Sequence, residues 1–192
     1  MSMAFEERLN RILPRITSAD FLQSKGLGNE IGFWIFDYPP ERELEMRAFI
    51  AEVVLPALAR RTPPIQCHTV DLFELAVDLL QERSLLDKVM RMQAEKGNDA
   101  VAAPLRSVLK EDKLAQRIAQ QARLDEIDLL MLTGVGAAYP MLRTNTLLTA
   151  LHPVMKNTPV LMFYPGRYDG FSLSLFNKLG DDHYYRAFRL VE

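Results

Sequence analysis

The chain has one cysteine, Cys67, among 192 residues. An intrachain disulfide is therefore excluded, and a reduced cytoplasmic setting is the expected one. Charge of one sign is also lacking: the formal net charge is −2. A global attraction for nucleic acid is absent, and direct nucleic-acid binding is not expected. No apolar run approaches the ~20 residues of a membrane span. The opening Met-Ser-Met-Ala-Phe-Glu-Glu-Arg carries acids and does not read as a signal peptide. Histidine is scarce. His68, His152 and His183 lie far apart, and none has metal-ligand spacing to another His or to Cys67. Cys67 and His68 are neighbours on an expected strand and so point to opposite faces. A buried thiol and a satisfied histidine are the plainer reading. Asp181-Asp-His183 reads as a solvated turn, since one acidic pair makes no metal site. No metal and no cofactor are expected. Patterns for a P-loop, a nucleophile elbow, a zinc protease or an EF-hand are missing.

What is present is globular. The composition is 48% hydrophobic and 25% charged. One domain over 1–192 is the default for this length. Residues 3–17 place Phe5, Leu9, Ile12, Leu13 and Ile16 at helical spacing, with Pro14 expected to end the helix early. Short, β-branched and aromatic runs mark strands at Ile31–Tyr38, Ile65–Val70, Ile127–Leu132, Pro159–Tyr164 and Tyr184–Val191. Helices are expected between them. Glu41–Arg60 carries an apolar stripe of Leu44, Ala48, Ala51, Leu55 and Leu58, with Pro56 shortening or kinking it. Asp71–Glu82, Ser84–Lys96, a long Val101–Arg123, Pro140–Met155 and a short Ser172–Leu179 follow.

Alternating strands and helices, with several strands apolar on both faces, imply an α/β fold. The expected form is a three-layer sandwich with a mostly parallel sheet of about five strands. Its topology would be P-loop-like or Rossmann-like, without a Walker A motif. Ile31–Tyr38, Ile127–Leu132 and Pro159–Tyr164 would be its central strands.

Ligands of open α/β sheets bind at the carboxyl ends of the strands. Here those ends are Asp37-Tyr-Pro, Asp71, Thr133-Gly-Val-Gly-Ala and Tyr164-Pro-Gly-Arg. Gly134 and Gly136 lead from a strand towards a helix, a context that suits an anion on backbone N–H groups. Arg143 and Arg167 are the nearby basic side chains that could hold a phosphate. A tight turn at Gly134 and an Arg167–Asp169 pair within a turn are the plainer readings. Arg106, Lys110, Lys113 and Arg117 recur on one face of the expected long helix, where Glu111 and Asp112 blunt the charge. They could meet an acidic partner, or form a solvated face. Arg167 and Tyr168, at a turn tip, are candidates for partner contact.

Three sets of phrases together resemble the BrxB family of bacterial BREX phage-resistance systems. The first is Gly26-Leu-Gly-Asn-Glu-Ile with Ile35-Phe-Asp-Tyr-Pro-Pro40. The second is Gly134-Val-Gly-Ala-Ala-Tyr-Pro-Met-Leu-Arg143. The third is Pro159-Val-Leu-Met-Phe-Tyr-Pro-Gly-Arg-Tyr-Asp-Gly170 with Leu175-Phe and Tyr184-Tyr-Arg-Ala-Phe-Arg. The resemblance implies a cytosolic member of a multi-gene defence assembly, beside a DNA methyltransferase, a large ATPase and the alkaline-phosphatase-like PglZ. It carries no catalytic residue onto this chain. A PglZ-like protein is the partner it implies, with other BREX components as further contacts. Two functions remain: an interaction or scaffold subunit, and a degenerate P-loop-like nucleotide- or phosphate-binding protein or enzyme.

Overall fold

The computed structural model describes residues 4–23, 32–181 and 187–192. Two short helices open the chain, α1 (Phe5–Ile16) and α2 (Ala19–Leu22). Pro14 lies inside α1, which runs two residues past it. The carbonyl it frees belongs to the exposed Asn10, where water can satisfy it.

Strand β1 (Phe33–Tyr38) is buried along its whole length. A 3-10 turn, α3 (Glu43–Phe49), a π segment at Ile50–Val54 and α4 (Leu55–Ala59) follow as one helical rod. Pro56 neither donates to the carbonyl four residues back nor tolerates it nearby. The wider π register immediately before it absorbs that conflict without ending the rod. The buried stripe is Met46, Ile50, Val54 and Leu58, while Leu44 is 80% exposed. Two stripes of this rod have helical spacing, and the sheet takes the one with the bulkier side chains.

Next come β2 (Cys67–Asp71), α5 (Leu72–Glu82), α6 (Leu86–Lys96), α7 (Asn98–Val108) and α8 (Glu111–Ala122). The single helix expected over Val101–Arg123 is thus two. Leu109 turns inward and is buried, and Lys110 is extended at the start of α8. Glu111 and Asp112 in the first turn favour a fresh helix start there. Then follow β3 (Leu129–Thr133), α9 (Val135–Ala138), α10 (Thr144–Leu151) and β4 (Val160–Tyr168). The expected helix at Ser172–Leu179 is instead a hairpin, β5 (Leu173–Leu175) and β6 (Leu179–Asp181). Its turn holds Phe176 and Asn177 at positive φ, 55° and 58°, with Lys178 N–H donating to the Leu175 carbonyl at 3.1 Å. The two left-handed residues are the central pair of a turn whose twist suits a hairpin, and Lys178 completes a three-residue loop between the paired Leu175 and Leu179. The last strand, β7, is Phe188–Arg189, and residues 182–186 of the expected Tyr184–Val191 strand lie outside the described residues.

The described residues form a mixed sheet of seven strands. Its main path is β2-β3-β4-β1-β7, paired in parallel, and β4 continues beyond β1 to pair antiparallel with β5, as β5 does with β6. β3, β4 and β1 are internal, as their doubly apolar sequences predict. One face of the sheet presents Trp34, Phe36, Met131, Leu161 and Phe163 to α1, α2 and the α3–α4 rod. The other presents Ile35, Leu130, Leu132, Val160 and Met162 to α5 and α7–α10. No helix among the described residues is long and apolar enough to cross a membrane.

Cys67 is half-buried on the first of these faces, and burial pushes its thiol up to about 12. The thiolate is the reactive form. Against an ordinary value of 9.0, this leaves the thiol almost wholly protonated at pH 8. Iodoacetamide labelling of the native protein at pH 8 should be slow and should accelerate sharply in denaturant. Equal rates in both states would place the thiol in solvent.

Candidate functional site

The carboxyl edge of the parallel strands is built by four strand ends. At the end of β1, Asp37 is 8% exposed. One carboxylate oxygen accepts from the Arg8 guanidinium of α1 at 2.5 Å, and the other accepts from the Tyr168 N–H at 3.0 Å. Arg8 also donates to the carbonyls of Asp37 at 2.7 Å and Val191 at 3.3 Å, and lies 4.9 Å from the centre of the Phe36 ring. The Tyr168 hydroxyl sits 2.6 Å from the Ala187 carbonyl oxygen and 3.0 Å from that of Gly170. Arg189 donates to the Tyr168 carbonyl. One polar network thus ties α1, β1, β4 and the C-terminal segment together. A buried charge is tolerable only when paired and hydrogen-bonded in this way.

Beside it, the Tyr38 hydroxyl donates to Glu43 at 2.5 Å, and Arg47 holds the other Glu43 oxygen at 2.8 Å. Burial, reinforced by Glu43, raises the phenol far above its ordinary value, so Tyr38 stays a donor.

At the end of β2, Asp71 caps α5, its Oδ1 accepting from Phe73 N–H at 2.9 Å and Glu74 N–H at 3.1 Å. Gly134, with φ +71°, lies against this carboxylate: a Cβ there would sit 2.2 Å from Asp71 Oδ1. A Cβ on Gly136 would meet the Phe176 ring at 2.9 Å. The two glycines therefore admit the protein's own side chains. A carboxylate at Gly134 opposes a phosphate at the same place, and α9, only four residues long, supplies little dipole. Gly134→Ala should destabilise by about 2–3 kcal/mol, combining left-handed strain with a disturbed helix cap. Urea unfolding checks this, and a loss below about 1 kcal/mol would mean that the carboxylate relocates at little cost.

Arg143 is exposed and lines a cavity of about 290 Å³ with Asn145, Tyr164 and Leu179. Arg167 is exposed on β4 and lines a different cavity, about 400 Å³, with Asp169, Ser172, Ser174 and Asn177. The four phosphate candidates are thus spread over three places. Arg167 and Asp169 are not ion-paired among the described residues. Asp169 instead accepts from the N–H groups of Ser172 at 2.7 Å and Phe171 at 2.8 Å and from the Ser172 hydroxyl at 2.9 Å, which hold its carboxyl down at about 2.

Tyr168 is 0% exposed, not at a turn tip. β4 runs through it, so its ring alternates away from Arg167 into the core. The basic stripe is divided as well. Arg106 lies in the last turn of α7, Lys110 precedes α8, and Arg117 on α8 pairs with Glu82 of α5. Only Lys113 and Arg117 share a helix. Among the described residues, no three His, Cys, Asp or Glu side chains converge as a metal would need. Asp37 was visible as a charged strand end, but nothing in the sequence pointed to Arg8 as its partner.

These features define a class: a mixed-sheet α/β protein in which Asp71 and the Phe176 ring pack directly against the two glycines that follow β3. The chain belongs to the BrxB family, whose model, "BREX protein BrxB", matches residues 68–190. It is 40% identical over 190 residues to a BREX protein BrxB of Bacillus cereus (strain H3081.97), covering 97% of each chain. It is 41% identical over 186 residues to a BREX protein BrxB of Escherichia coli O9:H4 (strain HS), covering 97% of this chain and 91% of the relative. No solved structure matches it significantly.

Proposed function

We infer that the chain is a non-catalytic component of a BREX anti-phage assembly. It acts as an interaction or scaffold subunit, and a PglZ-like protein is its direct contact. Membership in the BrxB family supports the BREX setting. The observation that carries the scaffold reading is the close packing around the loop after β3, where Asp71 occupies the space against Gly134 and Phe176 the space against Gly136. A site that bound a nucleotide there would need that space and the opposite charge.

The test is co-expression of the tagged full chain with each BREX protein singly. Stoichiometric co-purification of the PglZ-like protein is the expected result. Failure to retain any BREX protein would remove the scaffold reading. ATP turnover by the purified chain, abolished by Arg143→Ala, would favour the phosphate-binding alternative.

A further inference from the structure

Strand β2 ends the sheet, with β3 on one side. The Gln66 carbonyl accepts from Leu129 N–H at 3.3 Å, so in this parallel register His68 and Val70 direct their amides at β3. Cys67 and Thr69 direct theirs outward, and among the described residues no strand receives them. Proteins usually blunt such an edge with lysine, proline or a bulge. Cys67-His-Thr-Val-Asp71 has neither lysine nor proline, and it pairs with β3 residue for residue from end to end.

A cavity of about 340 Å³ lies along this edge, between β2, α5 and α8. Its charged lining is acidic: Asp71, Glu74 and Asp78, facing Gln121 of α8. Glu74 and Asp78 are exposed and make no ion pair among the described residues. His68 lies in the same cavity, and burial lowers its pKa, so it adds no standing positive charge at neutral pH. Two features coincide here: a row of open backbone donors and acceptors, and a flank with unanswered negative charge.

We propose that the β2 edge is a docking site for an extended segment of a partner protein, one that adds a strand to the sheet and carries two basic side chains two residues apart. The backbone edge supplies affinity through main-chain hydrogen bonds, and the acidic flank selects the sequence. The spacing follows from geometry. Glu74 and Asp78 are four residues apart on a helix, about 6 Å along its axis. Residues two apart on a strand share a face and lie about 6.6 Å apart. A basic residue, any residue, then a second basic residue therefore matches the flank.

This rests on the scaffold reading above, and the experiment separates the two. Binding of the purified PglZ-like protein is measured for the full wild-type chain, for Glu74→Lys/Asp78→Lys and for Glu74→Gln/Asp78→Asn. Hydrogen exchange over residues 67–71 is followed with and without the partner. Expected results are an affinity loss of about tenfold or more for the charge reversal, a smaller loss for the neutral pair, and new protection at Cys67 and Thr69. Unfolding midpoints close to wild type would show that both variants fold. Wild-type binding that both variants retain within about twofold, or no new protection at 67–71, overturns the edge-docking proposal and leaves the scaffold reading standing. No binding by the wild-type chain overturns both.

Discussion

Asp37→Ala is expected to lower the thermal unfolding midpoint by roughly 10 °C or more. The Asp37 and Arg8 side chains are 11% and 14% exposed, so both charges are largely out of water. Removing one partner of such a pair leaves the other buried and uncompensated, a loss of about 3–5 kcal/mol. The same change strips an acceptor from the Tyr168 N–H. Arg8→Met alone should also be costly, because it leaves the carboxylate with a single backbone donor. The double variant, Asp37→Leu with Arg8→Met, should lose clearly less than the sum of the two singles, since no isolated charge remains. Urea denaturation of all three measures the coupling. Additive losses would mean that the pair is hydrated and worth little.

Tyr168→Ala should be as severe, about 3–5 kcal/mol, because it empties the space of a ring that is 0% exposed. Tyr168→Phe separates the ring from its hydroxyl. It should cost about 1–2 kcal/mol, the Ala187 and Gly170 carbonyls losing their shared donor. Alanine at Arg167, the exposed neighbour, should leave the midpoint within about 1 °C of wild type. Partner binding lost in Tyr168→Ala but kept in Tyr168→Phe would therefore report a damaged fold. A fully stable Tyr168→Ala protein would contradict the buried placement. Loss of binding in the stable Arg167→Ala protein alone would assign that guanidinium to an interface.

The chain's own order of residues was enough for the central strands. Ile127–Leu132 and Pro159–Tyr164 are apolar without alternation, and only a strand covered on both faces uses such a run. Segment type failed where two local patterns competed. Ser172-Leu-Ser-Leu-Phe carries the period-two alternation of a strand, yet the hairpin turn that reveals it uses Phe176 and Asn177, not the usual Asn-Gly. The break between α7 and α8 was hidden in a run of good helix formers, where only burial of Leu109 interrupts the register. Side-chain exposure was the least legible property. Tyr168 and Arg167 are adjacent in sequence and of similar reach, and the alternation of β4 sends one inward and the other out. That pairing explains why a turn-tip reading of Pro165–Gly170 could not separate them.

The sequence by itself determined the class of fold, the internal strands and, through the phrases spread along it, the family. These depend on local period and composition, which neighbours in the chain carry. Tertiary structure alone decided that Arg8 answers Asp37, that Asp71 fills the space beside Gly134, and that β2 stands at an acidic edge with β3 as its one strand neighbour among the described residues. Each of these is a meeting of residues from separate elements, or the lack of a second neighbouring strand among the described residues. Strand order sets both, and no spacing along the chain encodes it.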